Sequence, residues 1–376
     1  MESTRRLSIA AVIVPSVIVI GLLGIGFIAG RYTVIRTFDK QIRGFSKSAS
    51  LGHILANEQQ RRTIASAYYD SDAIMKVLDN ISFAVPNIPS PFVGTAPMPG
   101  WHGVAHINAM QFRADKEVQM PKPPHTYRIF ITGGSTAYGT GAPSDDRTIA
   151  GYLEKILSQR LSPVTSLNYE VFTMANPGWA STHERIMIEN VLSELEPDMI
   201  IAVSGVNDVQ WGKFGRNVFW FRSYADEYFL GLIKDVYAYA KQPKIPEITH
   251  IDESPIPPRT VAERLLKNVK LSLFALSERN VDYVFARQPT RVLSEGLTTA
   301  STPPPDYMRE CYALYDTLLK TLHSKRFLYV DLSGVFDNFK GQTIYIDAYH
   351  VGDKGNQIIA ENIYQHIKER VTKQTR

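Results

Sequence analysis

The stretch Tyr127-Arg128-Ile129-Phe130-Ile131-Thr132-Gly133-Gly134-Ser135-Thr136-Ala137-Tyr138-Gly139-Thr140-Gly141 decides how the rest of the chain is read. Its apolar run, Ile129 to Ile131, is bounded by a charge and then by glycines, the pattern of a buried strand ending in a tight turn. Thr148 to Leu161 follows with helical spacing and places Ile149, Leu153, Ile156 and Leu157 on one face. A strand, a glycine turn, a serine and a helix put Ser135 at the carboxyl edge of an open sheet, where ligands bind in α/β folds. The same string also suits a polar βα turn without chemistry. The meaning of Ser135 therefore depends on the other strand ends.

Outward from this stretch, strands are expected at Arg128–Thr132, Glu170–Met174, Met199–Ser204, Tyr283–Arg287 and Phe327–Asp331. Helices are expected at Ile149–Arg160, His183–Leu195, Ala225–Ala240, Thr260–Glu278, Asp306–His323 and Lys354–Val371. This alternation predicts an α/β fold, a three-layer αβα sandwich around a five-stranded, mostly parallel sheet. Two segments interrupt it: an aromatic insertion at 210–229 and a proline-rich loop at 242–258. Aromatic side chains near a sheet edge either contact a sugar or acyl group or pack the insertion onto the core.

The turns after the other strands share the edge on which Ser135 sits. Asn176-Pro177-Gly178-Trp179 follows the second strand, Gly205-Val206-Asn207-Asp208 the third, and Asp347-Ala348-Tyr349-His350 lies between the fifth strand and the last helix. Gly178 offers a backbone N–H with no side chain to block approach. Asn207 offers an amide donor that does not titrate. His350 accepts a proton at neutral pH, and Asp347 can hold the imidazole in one tautomer. Gly134, Thr136, Trp179, Asp208, Trp211 and Tyr349 stand beside these groups and are candidate substrate contacts.

Four such turns together resemble the blocks of the SGNH, or GDSL-type, hydrolase superfamily, over about residues 105 to 370. Block one is similar to Gly133-Gly134-Ser135-Thr136, block two to the glycine of Asn176-Pro177-Gly178, block three to Gly205-Val206-Asn207-Asp208, and block five to Asp347-Ala348-Tyr349-His350. The lead-in Asn108-Ala109-Met110-Gln111-Phe112-Arg113 resembles an N-x-x-G-F-R approach, with Gln111 in place of the glycine. Gly134 stands where the founding Gly-Asp-Ser-Leu motif has aspartate, and Ala137 breaks the Gly-x-Ser-x-Gly elbow of α/β-hydrolases. The resemblance implies a flavodoxin-like sheet and a serine esterase. In it Ser135 is the nucleophile, His350 its base and Asp347 the orienting carboxylate. The oxyanion hole is formed by the Ser135 N–H, Gly178 and Asn207.

Composition narrows the class further. The chain has 376 residues, a net charge of +4 and one cysteine, Cys311, so no intrachain disulfide forms. The basic residues are scattered among acids, unlike a nucleic-acid-binding patch. No CxxC pair or HExxH helix is present, and no metal or cofactor is expected. His102 and His106 lie in a Gly- and Pro-rich region and read as loop histidines.

Residues 1–7 are polar, and Ile9–Ala29 carries no charge, so residues 8–30 read as a membrane anchor of about 20 apolar residues. A signal peptide cleaved near Ala29-Gly30 is the competing reading. Arg31, Arg36, Lys40, Arg43 and Lys47 outnumber Arg5 and Arg6, which by the positive-inside rule places the bulk of the chain in the cytoplasm. An N-terminal segment before a large domain instead suits an anchored enzyme facing the periplasm or cell surface. Residues 31–104 read as a helical stalk and proline-rich lead-in, and 105–372 as the hydrolase domain. The expected substrate is an O-acetyl or short acyl ester on an extracytoplasmic glycan, with a lipid ester or thioester as an alternative. The same residues suit an O-acyltransferase drawing on a membrane-bound acyl donor or glycan-synthesis partner. A non-catalytic glycan- or partner-binding module is the reading from another class. A phosphate loop at 133–141 lacks the Lys-Ser/Thr pair that would follow its glycines.

Overall fold

The computed structural model describes residues 9–48, 50–55, 57–215, 254–297, 299 and 302–374. The helix expected at Ala225–Ala240, most of the aromatic insertion and most of the proline-rich loop lie outside the described residues. In chain order the elements begin with helices α1 (Ile9–Ser48), α2 (Leu51–Ile54), α3 (Glu58–Ala65) and α4 (Ser71–Val77). Four short strands follow: β1 (Asn87–Ser90), β2 (Gly94–Pro97), β3 (Gly100–His102) and β4 (Ala105–Ile107). The main domain then runs β5 (Thr126–Gly133), α5 (Ser135–Tyr138), α6 (Ile149–Arg160), α7 (Ser162–Thr165), β6 (Asn168–Ala175) and α8 (Ser181–Asn190). It continues with β7 (Met199–Ser204), α9 (Val206–Lys213), α10 (Pro258–Ser277), β8 (Asp282–Arg287), α11 (Arg291–Ser294), α12 (Pro305–Leu319), β9 (Phe327–Asp331) and α13 (Asp353–Gln374).

The five long strands pair in the order β6-β5-β7-β8-β9, and every pairing is parallel. This is the doubly wound order in which the chain starts near the middle and reverses direction, so the edge beside β5 is a topological switch point. Side chains alternate between two apolar layers. Ile129, Ile131, Ile201 and Val203 face Leu153, Leu157, Ile363 and Ile367 of α6 and α13. Phe130, Phe172, Ile200 and Phe285 face Ile188, Leu265, Val269 and Tyr315 of α8, α10 and α12. Burial of both faces explains why the strands read as continuous apolar runs.

The lead-in differs from a stalk. Helix α1 holds the apolar span Ile13–Thr37 and continues to Ser48, but the chain beyond it folds onto the main domain. Leu51, Ala65, Tyr68, Ile74, Leu78 and Ile81 form a third core with Ile346 of the loop that carries His350. The Tyr68 hydroxyl donates to the Gly141 carbonyl at 2.8 Å, and the Tyr69 N–H donates to Asp353 at 3.0 Å. The proline-rich part of the lead-in contains two antiparallel hairpins, β1–β2 and β3–β4. His102 and His106 belong to the second hairpin rather than to a loop, where their rings bond the carbonyls of Met98 and Ala114.

Arg113 fastens this lead-in to the turn that follows Ser135. Its side chain is buried, bonds Asp145 at 2.9 Å, and donates to the carbonyls of Gly139 at 2.7 Å and Ala142 at 3.3 Å. Gln111, in place of the expected glycine, takes a φ of 69°, the left-handed conformation that glycine adopts without strain. Its amide donates to the Pro97 carbonyl at 3.2 Å. Replacing Arg113 by leucine leaves the buried Asp145 carboxylate without its counter-charge, with the His106 N–H still donating to it, and removes the Arg113 donor from the Ala142 carbonyl. Arg113→Leu is expected to lower the unfolding free energy by about 3–5 kcal/mol, measured by urea denaturation.

Candidate active site

Strand β5 stops at Gly133 and Gly134 because nothing larger fits there. Gly133 has a φ of 147°, and a Cβ on it would lie 2.3 Å from the Val203 carbonyl oxygen. A Cβ on Gly134 would lie 2.2 Å from the Asn207 amide nitrogen. Ser135 follows as the first residue of α5, where backbone N–H groups have no intrahelical partner.

His350 Nε2 lies 2.6 Å from Ser135 Oγ, across 215 positions of sequence. His350 Nδ1 lies 2.6 Å from Asp347 Oδ2. The carboxylate accepts the Nδ1 proton, which leaves Nε2 as the acceptor facing the serine hydroxyl. Asp347 Oδ1 meanwhile accepts the N–H groups of Tyr349 at 2.7 Å and His350 at 2.8 Å. The loop is closed by the Ile346 N–H donating to the His350 carbonyl at 2.9 Å and by a bridge between Tyr345 and Val351. Burial acts to raise the Asp347 carboxyl. The His350 charge, its hydrogen bond and the two backbone donors outweigh burial and hold it below its ordinary value.

Asn207 opens α9. Its amide donates to the Trp179 carbonyl at 2.7 Å, which fixes Nδ2 beside Gly134 and leaves its second hydrogen for another acceptor. Gly178 sits in the turn closed by the Trp179 N–H bonding the Asn176 carbonyl at 3.0 Å, with a φ of 88°. The serine, the histidine–aspartate pair and the asparagine expected from the sequence thus converge, and the Gly178 turn meets Asn207 through Trp179.

The candidate substrate contacts divide differently. Thr136, Trp179, Asp208 and Trp211 are buried, so their side chains support the site from behind instead of lining it. Asp208 accepts the Ser181 N–H at 3.0 Å and its hydroxyl at 2.5 Å, while Asn268 donates to the same hydroxyl at 2.8 Å. This ties the residue after Asn207 to the start of α8, just beyond the Gly178 turn. His183 is stacked on Trp179 with centroids 6.2 Å apart and meets Trp211 edge-on at 5.5 Å. Burial lowers the His183 ring to a pKa of about 4, so it is neutral, and its Nδ1 accepts the Ala180 N–H at 3.2 Å. Tyr349 remains partly exposed, its ring edge-on to His350 at 6.4 Å.

Sequence reasoning missed the turn after β8. Gln288 donates to the Thr136 hydroxyl at 2.7 Å, and that hydroxyl donates to the Tyr349 carbonyl at 3.3 Å. The Thr290 hydroxyl and the Arg291 N–H both donate to the Ala348 carbonyl, at 3.2 and 3.0 Å. The rule that pointed to the other turns, carboxyl ends of parallel strands, applies equally to Gln288-Pro289-Thr290.

The chain matches no protein-family model and no curated protein. Its fold is similar to several solved structures. A lipase from a goat rumen metagenome is 13% identical, with 64% of this chain and 96% of that chain covered and a TM-score of 0.42. An acetyl xylan esterase is 14% identical, with 64% and 99% covered and a TM-score of 0.39. A GDSL-like lipase from Parabacteroides merdae is 13% identical, with 64% and 94% covered and a TM-score of 0.40. The fold itself rests on the strand order above, and the site on its own distances.

Two outcomes test the geometry. Gly134→Ala drives a methyl group into the Asn207 amide and is expected to lower kcat by about 10²–10³-fold, measured by acid release from an acetyl ester. Glu184, buried on α8, accepts the Ser204 hydroxyl at 2.5 Å. Burial pushes its carboxyl well above the usual range, the Asp208 charge adds to this, and the Ser204 bond opposes it. A raised acid contributes stability below its unfolded pKa and loses that contribution as pH rises. Glu184→Gln keeps the acceptor for Ser204 and cannot ionise. Its unfolding free energy is expected to fall less than that of the wild type between pH 5 and pH 8, measured by urea denaturation.

Proposed function

We propose that this chain is a serine ester hydrolase of the SGNH type. The observation that carries the reading is the unbroken line Ser135–His350–Asp347, with both contacts at 2.6 Å and the Asn207 amide beside the serine turn. Ser135 Oγ attacks the ester carbonyl carbon as its proton passes to His350 Nε2. The carbonyl oxygen takes up the negative charge and is met by the Ser135 and Gly178 N–H groups and the Asn207 amide. Collapse expels the alcohol, which leaves with the proton from His350. Water then attacks the acyl-enzyme with His350 again as base, and a free acid departs. Asp347 stays ionised and stabilises the imidazolium.

The substrate we favour is an O-acetyl or short acyl ester on a glycan outside the cytoplasm. The support is the apolar helix at Ile13–Thr37 together with the block resemblance. Trp211 lends no support to sugar stacking, because its ring is buried against His183. Labelling with a fluorophosphonate on intact and lysed cells tests the nucleophile and the side of the membrane together. Wild-type protein is expected to label in intact cells and Ser135→Ala in neither preparation. Labelling only after lysis would reject the extracytoplasmic placement. Asp347→Asn is expected to keep the nucleophile but lower kcat by about 10²–10⁴-fold, measured by acid release from an acetyl ester.

A further inference from the structure

Two hydrogen bonds fix the imidazole of His350 at its two nitrogens. With the Cβ–Cγ bond they set the plane of the ring, and two aromatic rings pack against it: Tyr349 from its own loop and Phe83 from outside the main domain. The Phe83 ring packs obliquely on the His350 ring, with centroids 5.5 Å apart and planes at 64°. Phe83 belongs to the lead-in, in the stretch between α4 and β1, and is partly buried against the third core.

The backbone around Phe83 is secured on both sides. Its carbonyl accepts the Thr140 hydroxyl at 2.8 Å, and Thr140 lies in the turn after the nucleophile helix. The Ser82 hydroxyl donates to the Ala84 carbonyl at 2.5 Å. Ser82 itself forms a β-bridge with Ser50, and the Leu51 N–H donates to the Ile81 carbonyl at 2.7 Å. Ser50 is two residues beyond the end of α1. Ser50 and Leu51, just beyond the apolar helix, are therefore paired to the two residues that precede the one touching His350.

We infer that Phe83 is a positioning residue for His350, supplied by the lead-in, and that residues 50–83 form part of the catalytic unit. This rests on the serine hydrolase reading. The aromatic edge limits rocking of the imidazole as it turns from Ser135 Oγ to the leaving oxygen, and it excludes water from that side of the ring. Orientation lost at this point lowers kcat without weakening substrate binding.

The test uses the full-length protein with Phe83→Tyr, Phe83→Leu and Phe83→Ala. It reads kcat and KM on p-nitrophenyl acetate, the rate of fluorophosphonate labelling and Tm. The tyrosine variant is expected to stay within about 2-fold of the wild type. The leucine and alanine variants are expected to lose roughly 3- to 10-fold in both kcat and labelling rate with KM little changed, the range an aromatic pair supplies. Leucine keeps an apolar side chain in the third core, so it decides the matter if alanine impairs folding. Wild-type kcat and labelling in Phe83→Leu would overturn the proposal and reduce Phe83 to a packing residue. A wild-type protein that the probe does not label would instead overturn the hydrolase reading, and the proposal with it.

Discussion

The Asp347 carboxylate does two jobs at once, and the site depends on it. One oxygen takes the Tyr349 and His350 backbone N–H groups and so folds the loop in which both residues sit. The other takes the imidazole proton of His350. A carboxylate used in this way cannot turn without unfolding its own loop, so the direction of the histidine is set by backbone geometry. The three-residue spacing makes this closure local. Ser135, 215 positions away, is brought to the opposite nitrogen by the sheet and by the bond from the Thr136 hydroxyl to the Tyr349 carbonyl.

The remaining strand ends are joined by buried polar ties. Asp208, Ser181 and Asn268 link α9, α8 and α10. Gln288 and Thr136 link the turn after β8 to the turn after β5. Hydrogen bonds of this kind gain little over water in net stability, but leaving one unmade in a low-dielectric interior is costly. They therefore act mainly to hold one arrangement of the turns against alternatives. Burial raises the carboxyl of Asp208 even as the Ser181 bonds act to lower it, which reflects how far from solvent this tie lies.

The parallel sheet was legible because its signals are local. Met199–Ser204 and Phe327–Asp331 are bounded as the apolar runs suggested, and α6 begins and ends where its periodicity does. The turn residues were legible because a serine read as a nucleophile calls for a base, an orienting carboxylate and amide donors, and the strand ends are where these would meet it. What the sequence did not disclose depends on tertiary packing. Strands β1 to β4 are three or four residues long and include prolines, too short for a period to register. Nothing in their own neighbourhoods marks Trp211 and Asp208 as buried supports, because burial there is conferred by His183 and Ser181 on another helix. Phe83 sits in a proline-rich region with no repeat, and its partner lies near the far end of the chain.

That last separation bears on how the chain is made. Tyr69 bonds Asp353, 284 positions later, and Ile346 completes the core around Tyr68 and Leu78. At about 5–20 residues per second, synthesis leaves the first half of this contact waiting on the order of 15–60 s for the second. Through that interval Tyr68, Ile74, Leu78 and Ile81 lack the Ile346 side of their core, beside an apolar helix already complete. The lead-in thus leaves the ribosome well before Ile346 and Asp353, the residues that close it. Its apolar residues stay exposed through that interval, a state that a holding chaperone would cover.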